Sequence, residues 1–290
     1  MNFKLNALVA ALATVASFGA QAVITQQQGL GNTGNSSVIF VAHDATDNIT
    51  LVVDLGLNMA DLIPGSALTT SGSATWNFAT NTTSLATTGN DWTAAYNTFK
   101  AAALGNDLRW GILAGDNITG NSVTAANTII GKGYLTTGNP TAAELVNTNA
   151  TSSTAIGNAL TPLNNYLAGA NAAGNNQTVA NGAATATAGG LFGVMGGNFN
   201  GAGAWTYLIA NGVSSNINYL RQSTVANPTA FQIGDPSGVD VLSTNPTTFN
   251  FDINTNTLSL ASPVPEPGSY ALLMAGLAAV GFLARRRRAA

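Results

Sequence analysis

At 290 residues, with 7% charged side chains, a net charge of −3, one histidine and no cysteine, the chain lacks the means for several kinds of chemistry. Missing thiols exclude disulfides, thiol catalysis, haem attachment and thiolate metal centres, and a single imidazole leaves histidine-based zinc short of ligands. A charged fraction far below the roughly 25% of ordinary soluble domains, with acid in excess, argues against nucleic acid as a partner.

Met1 to Ala22 has the three parts of a secretory signal peptide. Lys4 supplies a positive start, Leu5 to Phe18 an apolar run, and Ala20-Gln21-Ala22 a small-residue cleavage site before Val23. The expectation is export through the Sec translocon with removal of residues 1–22 by signal peptidase. A buried N-terminal helix is the plain alternative.

Residues 23–262 form the predicted exported body. It holds four basic residues (Lys100, Arg109, Lys132, Arg221) against eleven acidic ones, with Asn, Thr, Ser, Gly and Ala in place of Lys and Glu. Such a surface suits a neutral extracellular setting. Ser36 to Asp54 reads as a hairpin: Val38–Val41 and Ile49–Val53 are apolar and β-branched, and His43 to Asn48 is turn chemistry. A short segment then stops at Pro64-Gly65. Thr75-Trp76-Asn77-Phe78 predicts another strand with alternating aromatics.

Trp92 to Leu104 is the clearest helix. Asn90 or Asp91 can cap it, Gly105 sits where a left-handed terminator belongs, and Trp92, Ala95, Tyr96, Phe99 and Ala103 make one apolar stripe. That stripe reads as a core face. Leu108 to Leu113 follows as a strand closed by Gly115-Asp116-Asn117. A second helical region is expected over about Pro140 to Leu167, kinked or restarted at Pro162. Residues 169–201, rich in Ala, Asn, Gly and Thr, read as a long loop, a linker or an internal boundary. Strand signals resume at Trp205 to Ile209. A last hairpin alternates Phe249, Phe251 and Ile253, turns at Asn254-Thr255-Asn256, and returns through Leu258 and Leu260. The predicted fold class is α+β, antiparallel β-dominant and sandwich-like, with a few amphipathic helices.

The tail, residues 263–290, has its own logic. Val264-Pro265-Glu266-Pro267 is held extended by its prolines. Ser269 to Ala284 is an uncharged run of 16 residues, which rises roughly 24 Å as a helix against a hydrocarbon core of about 30 Å. Arg285, Arg286, Arg287 and Arg288 follow, and long arginine stems can snorkel to extend the span. Four arginines at one end place that end on the cytoplasmic face. The expectation is a short transmembrane helix with the body outside; a charge-free core helix is the alternative.

This order of parts resembles the PEP-CTERM sorting signal of Gram-negative bacteria. The likeness covers about the last 27 residues. It implies recognition by an exosortase, an integral-membrane cysteine protease that cuts near the Pro-Glu-Pro motif and passes the body onward. It identifies an address rather than an activity of the body.

The body offers little catalytic chemistry. His43 has no Gly-x-Ser-x-Gly elbow to serve and reads as a solvent-facing turn residue. Asp44-x-x-Asp47-Asn48 and Asp116-Asn117 offer hard oxygen ligands without the spacing of a twelve-residue calcium loop. Gly131-Lys132-Gly133 lacks the surroundings of a phosphate loop. Asn-x-Ser/Thr triplets at Asn35, Asn48, Asn81, Asn117, Asn149 and Asn176 leave glycosylation open. No catalytic residue, cofactor or metal is predicted. The leading expectation is a non-enzymatic protein of the cell surface or exopolysaccharide matrix. One competitor is a carbohydrate-binding or adhesive module using Trp76, Trp92, Trp110 or Trp205. Another is a secreted glycoside hydrolase with an aspartate pair.

Overall fold

The computed structural model describes residues 37–63, 66–85, 91–104, 107–117, 132–141, 143–144, 182–187, 207–222, 239–242, 247–262 and 274–277. Its first half contributes strands β1 (Ser37–Asp44), β2 (Ile49–Asn58), β3 (Ser73–Asn77), β4 (Thr82–Thr83), β5 (Leu108–Asn117) and β6 (Lys132–Thr137). The second contributes β7 (Ala183–Thr187), β8 (Ile209–Ala210), β9 (Ser214–Gln222), β10 (Val239–Leu242), β11 (Thr248–Asp252) and β12 (Thr257–Ala261). Helices α1 (Ala67–Ser71) and α2 (Thr93–Ala102) lie between strands of the first half. Every strand pairing is antiparallel, and the path runs β4-β3-β12-β11-β9-β6-β5-β1-β2-β7, with β10 on β9 and β8 on β5. The expectation of an antiparallel β-dominant body with few helices is met.

The sheet curls at β9. Ser214 to Asn216 pair with β11, whereas Ile217 to Arg221 pair with β6, so one strand serves two stretches of sheet. The curl brings opposed inner faces together: the Phe40 ring of β1 lies 4.8 Å from Phe251 of β11 and 4.9 Å from Phe78. Trp76 stacks near Phe249 at 6.3 Å, and Trp92 meets Phe78 edge-on at 5.8 Å. These rings are fully buried. With no disulfide to constrain the unfolded chain, burial of about 2 kcal/mol per large side chain is the main favourable term. Bends in the sheet are sealed by polar groups. Gly138 N–H donates to Ser215 Oγ at 2.8 Å, Asn218 Nδ2 donates to Gly138 O at 3.0 Å, and Thr137 Oγ1 donates to Tyr207 O at 2.8 Å. The hydroxyls and amides expected on the surface therefore also serve the interior.

Three hairpin turns share one design. Asp44, Asn77 and Asp252 each accept backbone N–H groups two or three residues on: from Thr46 and Asp47, from Ala79 and Thr80, and from Asn254. Four residues after each stands an asparagine at positive φ: Asn48 at 60°, Asn81 at 51° and Asn256 at 59°. Asparagine tolerates that left-handed backbone better than most side chains. Helix α2 is tied to all three turns. Trp92 N–H donates to Asn81 Oδ1 at 3.1 Å, Tyr96 Oη to Asn256 Oδ1 at 3.0 Å, and Leu104 N–H to Asp47 Oδ2 at 2.8 Å.

The apolar stripe of the helix holds, since Trp92, Ala95, Tyr96, Phe99 and Ala103 are all buried. The helix is shorter than expected, however: it spans Thr93–Ala102, the capping position falls on Trp92, and the chain turns extended at Ala103. Asp91 Oδ1 accepts Thr93 N–H at 3.1 Å from one residue before the cap. Asn90 and Gly105 lie outside the described residues. Other expectations need correction. His43 and Asp44 belong to β1 and are buried, because the strand continues to the residue that starts the turn. Strand β5 does not close at Gly115; it continues to Asn117 by pairing with β6. Of the strand placed at Trp205–Ile209, Tyr207 and Leu208 are not in a strand, Ile209–Ala210 pairs with Trp110 and Arg109, and Trp205 and Thr206 lie outside the described residues. Within 169–201, Ala183–Thr187 is a sheet strand in register with Ile49–Val53; alanines and threonines with no apolar signature still pair there. Of the region 140–167, Thr141 and Glu144 form reciprocal bonds of a helix start, with Thr141 N–H donating to Glu144 Oε2 at 2.7 Å. Residues 142 and 145–167 lie outside the described residues.

Candidate functional site

The best-defined functional feature begins where the body ends. Strand β12 finishes at Ala261, and Ser262 is buried. Its N–H donates to Gly72 O at 3.0 Å, its Oγ donates to Leu68 O, and its Oγ lies 2.9 Å from Thr247 Oγ1. Thr247 Oγ1 in turn donates to Thr69 O at 3.1 Å. The physical reason lies in α1. A five-residue helix leaves its last carbonyls without partners in the helix, and hydroxyls from the far end of the chain fill them. Ser66 caps the other end, its Oγ accepting Thr69 N–H at 3.4 Å. Gly72 is required for the close approach, since a Cβ there would stand 2.6 Å from Leu68 Cα. Neither Thr247 nor Gly72 stands out in the sequence, because the partner carbonyls belong to a distant segment.

The tail residues Val264, Pro265, Glu266 and Pro267 and the arginines Arg285 to Arg288 lie outside the described residues, as do Ala20 and Ala22. Within 269–284, residues 274–277 are helical and exposed, with Met274 and Leu277 open to solvent. Among the described residues no helix is long and apolar enough to cross a membrane.

The structure places the other candidates in the framework of the fold. His43 Nδ1 is 2.9 Å from Thr50 Oγ1 across the hairpin. Asp44 Oδ1 takes two turn N–H groups, and Asp47 holds the end of α2. Among the described residues no group of three His, Cys, Asp or Glu side chains is placed to hold a metal. Trp76, Trp92 and Trp110 are buried, and each indole N–H donates to a backbone carbonyl, on Leu55, Asp54 and Ala210 respectively. They are core residues, not sugar platforms; Trp205 lies outside the described residues. Asp54 is also buried, and desolvation pushes its carboxyl up to about 6, although Gly56 N–H and Ser37 Oγ, both at 2.8 Å, pull it down.

Sequence reasoning missed one surface. The outward residues of β3, β12, β11 and the start of β9 form rows of small polar groups, such as Thr75, Ser259, Asn250 and Ser214 side by side. A shallow groove of about 410 Å³ at its edge is lined by Thr75, Asn77, Thr82, Thr83, Ser84 and Thr257. Alternation with buried Ala74, Trp76, Phe249, Phe251, Leu258 and Leu260 is the signal that would have shown it.

Residues 263–288 match the family described as the PEP-CTERM protein-sorting motif. The match begins at the residue after Ser262. No curated protein and no solved structure matches the chain.

Proposed function

We propose that this protein is an exported, non-enzymatic component of the cell surface or exopolysaccharide matrix, delivered through its C-terminal sorting motif. The single observation that carries the reading is the motif match at residues 263–288, directly after the last anchored residue of the body. In this reading the Sec translocon exports the precursor and signal peptidase cuts after Ala22. Ser269 to Ala284 holds the body at the inner membrane, and Arg285 to Arg288 fix the orientation. An exosortase then engages Val264 to Pro267 and releases or transfers the body. The prolines suit a protease because their fixed φ and missing N–H disfavour helix and sheet pairing.

The test is the intact mass of the protein recovered from the outer surface of its native cell. A mass ending near Val264 to Gly268, with or without an added group, supports processing. A mass running through Ala290 refutes it and makes the tail a permanent anchor. Replacing all four arginines with alanine should impair retention or processing.

A second reading, carbohydrate contact, is favoured by the uncharged rows of Thr, Ser and Asn beside the groove of about 410 Å³. Hydroxyls and amides match a neutral glycan by hydrogen bonding, without the aromatic stacking first expected. Binding to exopolysaccharide lost in a Thr75→Ala/Thr257→Ala variant would support it; binding unchanged in that variant would remove it.

A further inference from the structure

The curled sheet has two ends, with different elements at each. One carries the three asparagine turns, α2 and the charged groups Asp47, Asp91, Lys100, Asp107, Arg109 and Asp252. The other carries α1, Thr247 and Ser262, with Ala67, Thr70, Ser73 and Ala261 exposed around them, and by strand register it also carries Asp61, Asp116, Lys132, Arg221 and Asp240. The last residue of the body, Ser262, lies at this second end. Ser262 is fixed there by Gly72, Leu68 and Thr247, and the sorting motif follows within a few residues.

Chain geometry then limits the arrangement. Three residues from Ser262 to Pro265 reach about 10 Å when extended, and seven to Ser269 reach about 25 Å. A body of this length has a radius of gyration of roughly 18 Å. The reach to the motif is shorter than the body is wide, so the body cannot swing clear of whatever holds Pro265 to Pro267.

We infer that the α1 end of the body is an interaction surface that lies against the membrane-embedded sorting protease while the motif is engaged. This inference rests on the processing reading above. The clamp on Ser262 sets how far the motif projects, and α1 sets which side chains meet the protease.

The experiment co-expresses the full chain with its exosortase and follows cleavage over time. An Ala67→Glu/Thr70→Glu variant puts two charges on the inferred surface, and an Ala94→Glu/Asn97→Glu variant puts two on exposed positions of α2 at the far end. The first should be cut about tenfold more slowly or worse, and the second at the wild-type rate, with thermal unfolding checked for both. A flexible Gly/Ser linker of a dozen residues inserted after Ser262 should restore cutting of the first variant, because the body can then stand away. Wild-type cutting of the first variant without the linker overturns the inference. So does failure of the linker to rescue a variant that folds normally. An uncut wild type is a different result: it removes the processing reading, and this contact with it.

Discussion

Tyr96 and Asn256 join α2 to the last hairpin: the tyrosine hydroxyl donates to Asn256 Oδ1 at 3.0 Å, and Lys100 Nζ donates to the same oxygen. Asn256 also holds the turn at a φ of 59°. One side chain therefore does two jobs, and two substitutions separate them. Asn256→Gly keeps the left-handed backbone and loses the bonds to the helix, a cost of about 1 kcal/mol. Asn256→Ala loses the bonds and adds left-handed strain of about 1 kcal/mol or more. Urea denaturation should rank wild type above Gly above Ala; equal values for Gly and Ala would show that backbone strain contributes nothing there.

Trp76 and Trp92 hold neighbouring carbonyls of β2, with indole N–H distances of 2.9 Å to Leu55 O and 3.0 Å to Asp54 O. A phenylalanine at either site fills much of the volume but removes the donor in a dry interior. Trp76→Phe should lower stability by roughly 2 kcal/mol, the summed effect of a smaller ring and a lost buried bond. Exopolysaccharide binding, measured where the variant is still folded, should not change. A loss of binding with stability intact would return Trp76 to the role of a sugar platform.

The elements legible in the sequence were those whose signal is local. Phe249 to Leu260 alternates with period two around an Asx turn, and Trp92 to Ala103 repeats at helical spacing; both appear, the helix shorter than expected. Strand β9, Ser214–Gln222, has no such signal. Its Ser215, on the face of Phe249, and its Asn218, on the opposite face, are both buried, and the Gly138 backbone supplies partners to each. Pairing of Ala183–Thr187 with β2 is likewise decided by a neighbour far away in sequence. His43 shows the converse error. Turn composition around it suggested exposure, while the strand runs one residue past it. For the sorting site, the motif was legible because its parts are contiguous, and the Ser262 clamp was not because Thr247 and Gly72 converge only in the fold.

Gly72 and Gly212 predict different responses to the same substitution. At Gly72 an added Cβ would meet Leu68 Cα at 2.6 Å and Leu68 O at 2.9 Å, backbone atoms that cannot rotate away. At Gly212 the space is open but φ is +74°. Gly212→Ala should cost about 1 kcal/mol, the ordinary left-handed penalty. Gly72→Ala should cost about 2–3 kcal/mol as an overpacked contact, and it should also free the chain end held by Gly72 O. Limited proteolysis of the full chain checks this: the Gly72→Ala protein should be cut more readily near Ser262, and Gly212→Ala should not. Equal cutting of both would mean that the clamp does not depend on the close approach at Gly72.

Asp54 gives the fold a pH dependence of defined sign. Its carboxyl titrates at 3.8 when ordinary and is pushed up to about 6 in the fold, chiefly by burial, with Gly56 N–H and Ser37 Oγ opposing. Between these values the folded state holds more proton than the unfolded state, so stability must fall as pH rises. The contribution is complete below the unfolded value and gone above about 6, and at 1.36 kcal/mol per unit it amounts to about 3 kcal/mol. Asp54→Asn keeps an oxygen for Gly56 N–H and presents an amide to Ser37 Oγ without a buried charge. Urea unfolding at steps from pH 4 to 7 should show a decline between pH 4 and 6 in wild type that is reduced in Asp54→Asn. The variant should be the more stable protein at pH 7. An unchanged slope in the variant would mean that the carboxyl stays ionised across this range, with Gly56 and Ser37 outweighing its burial.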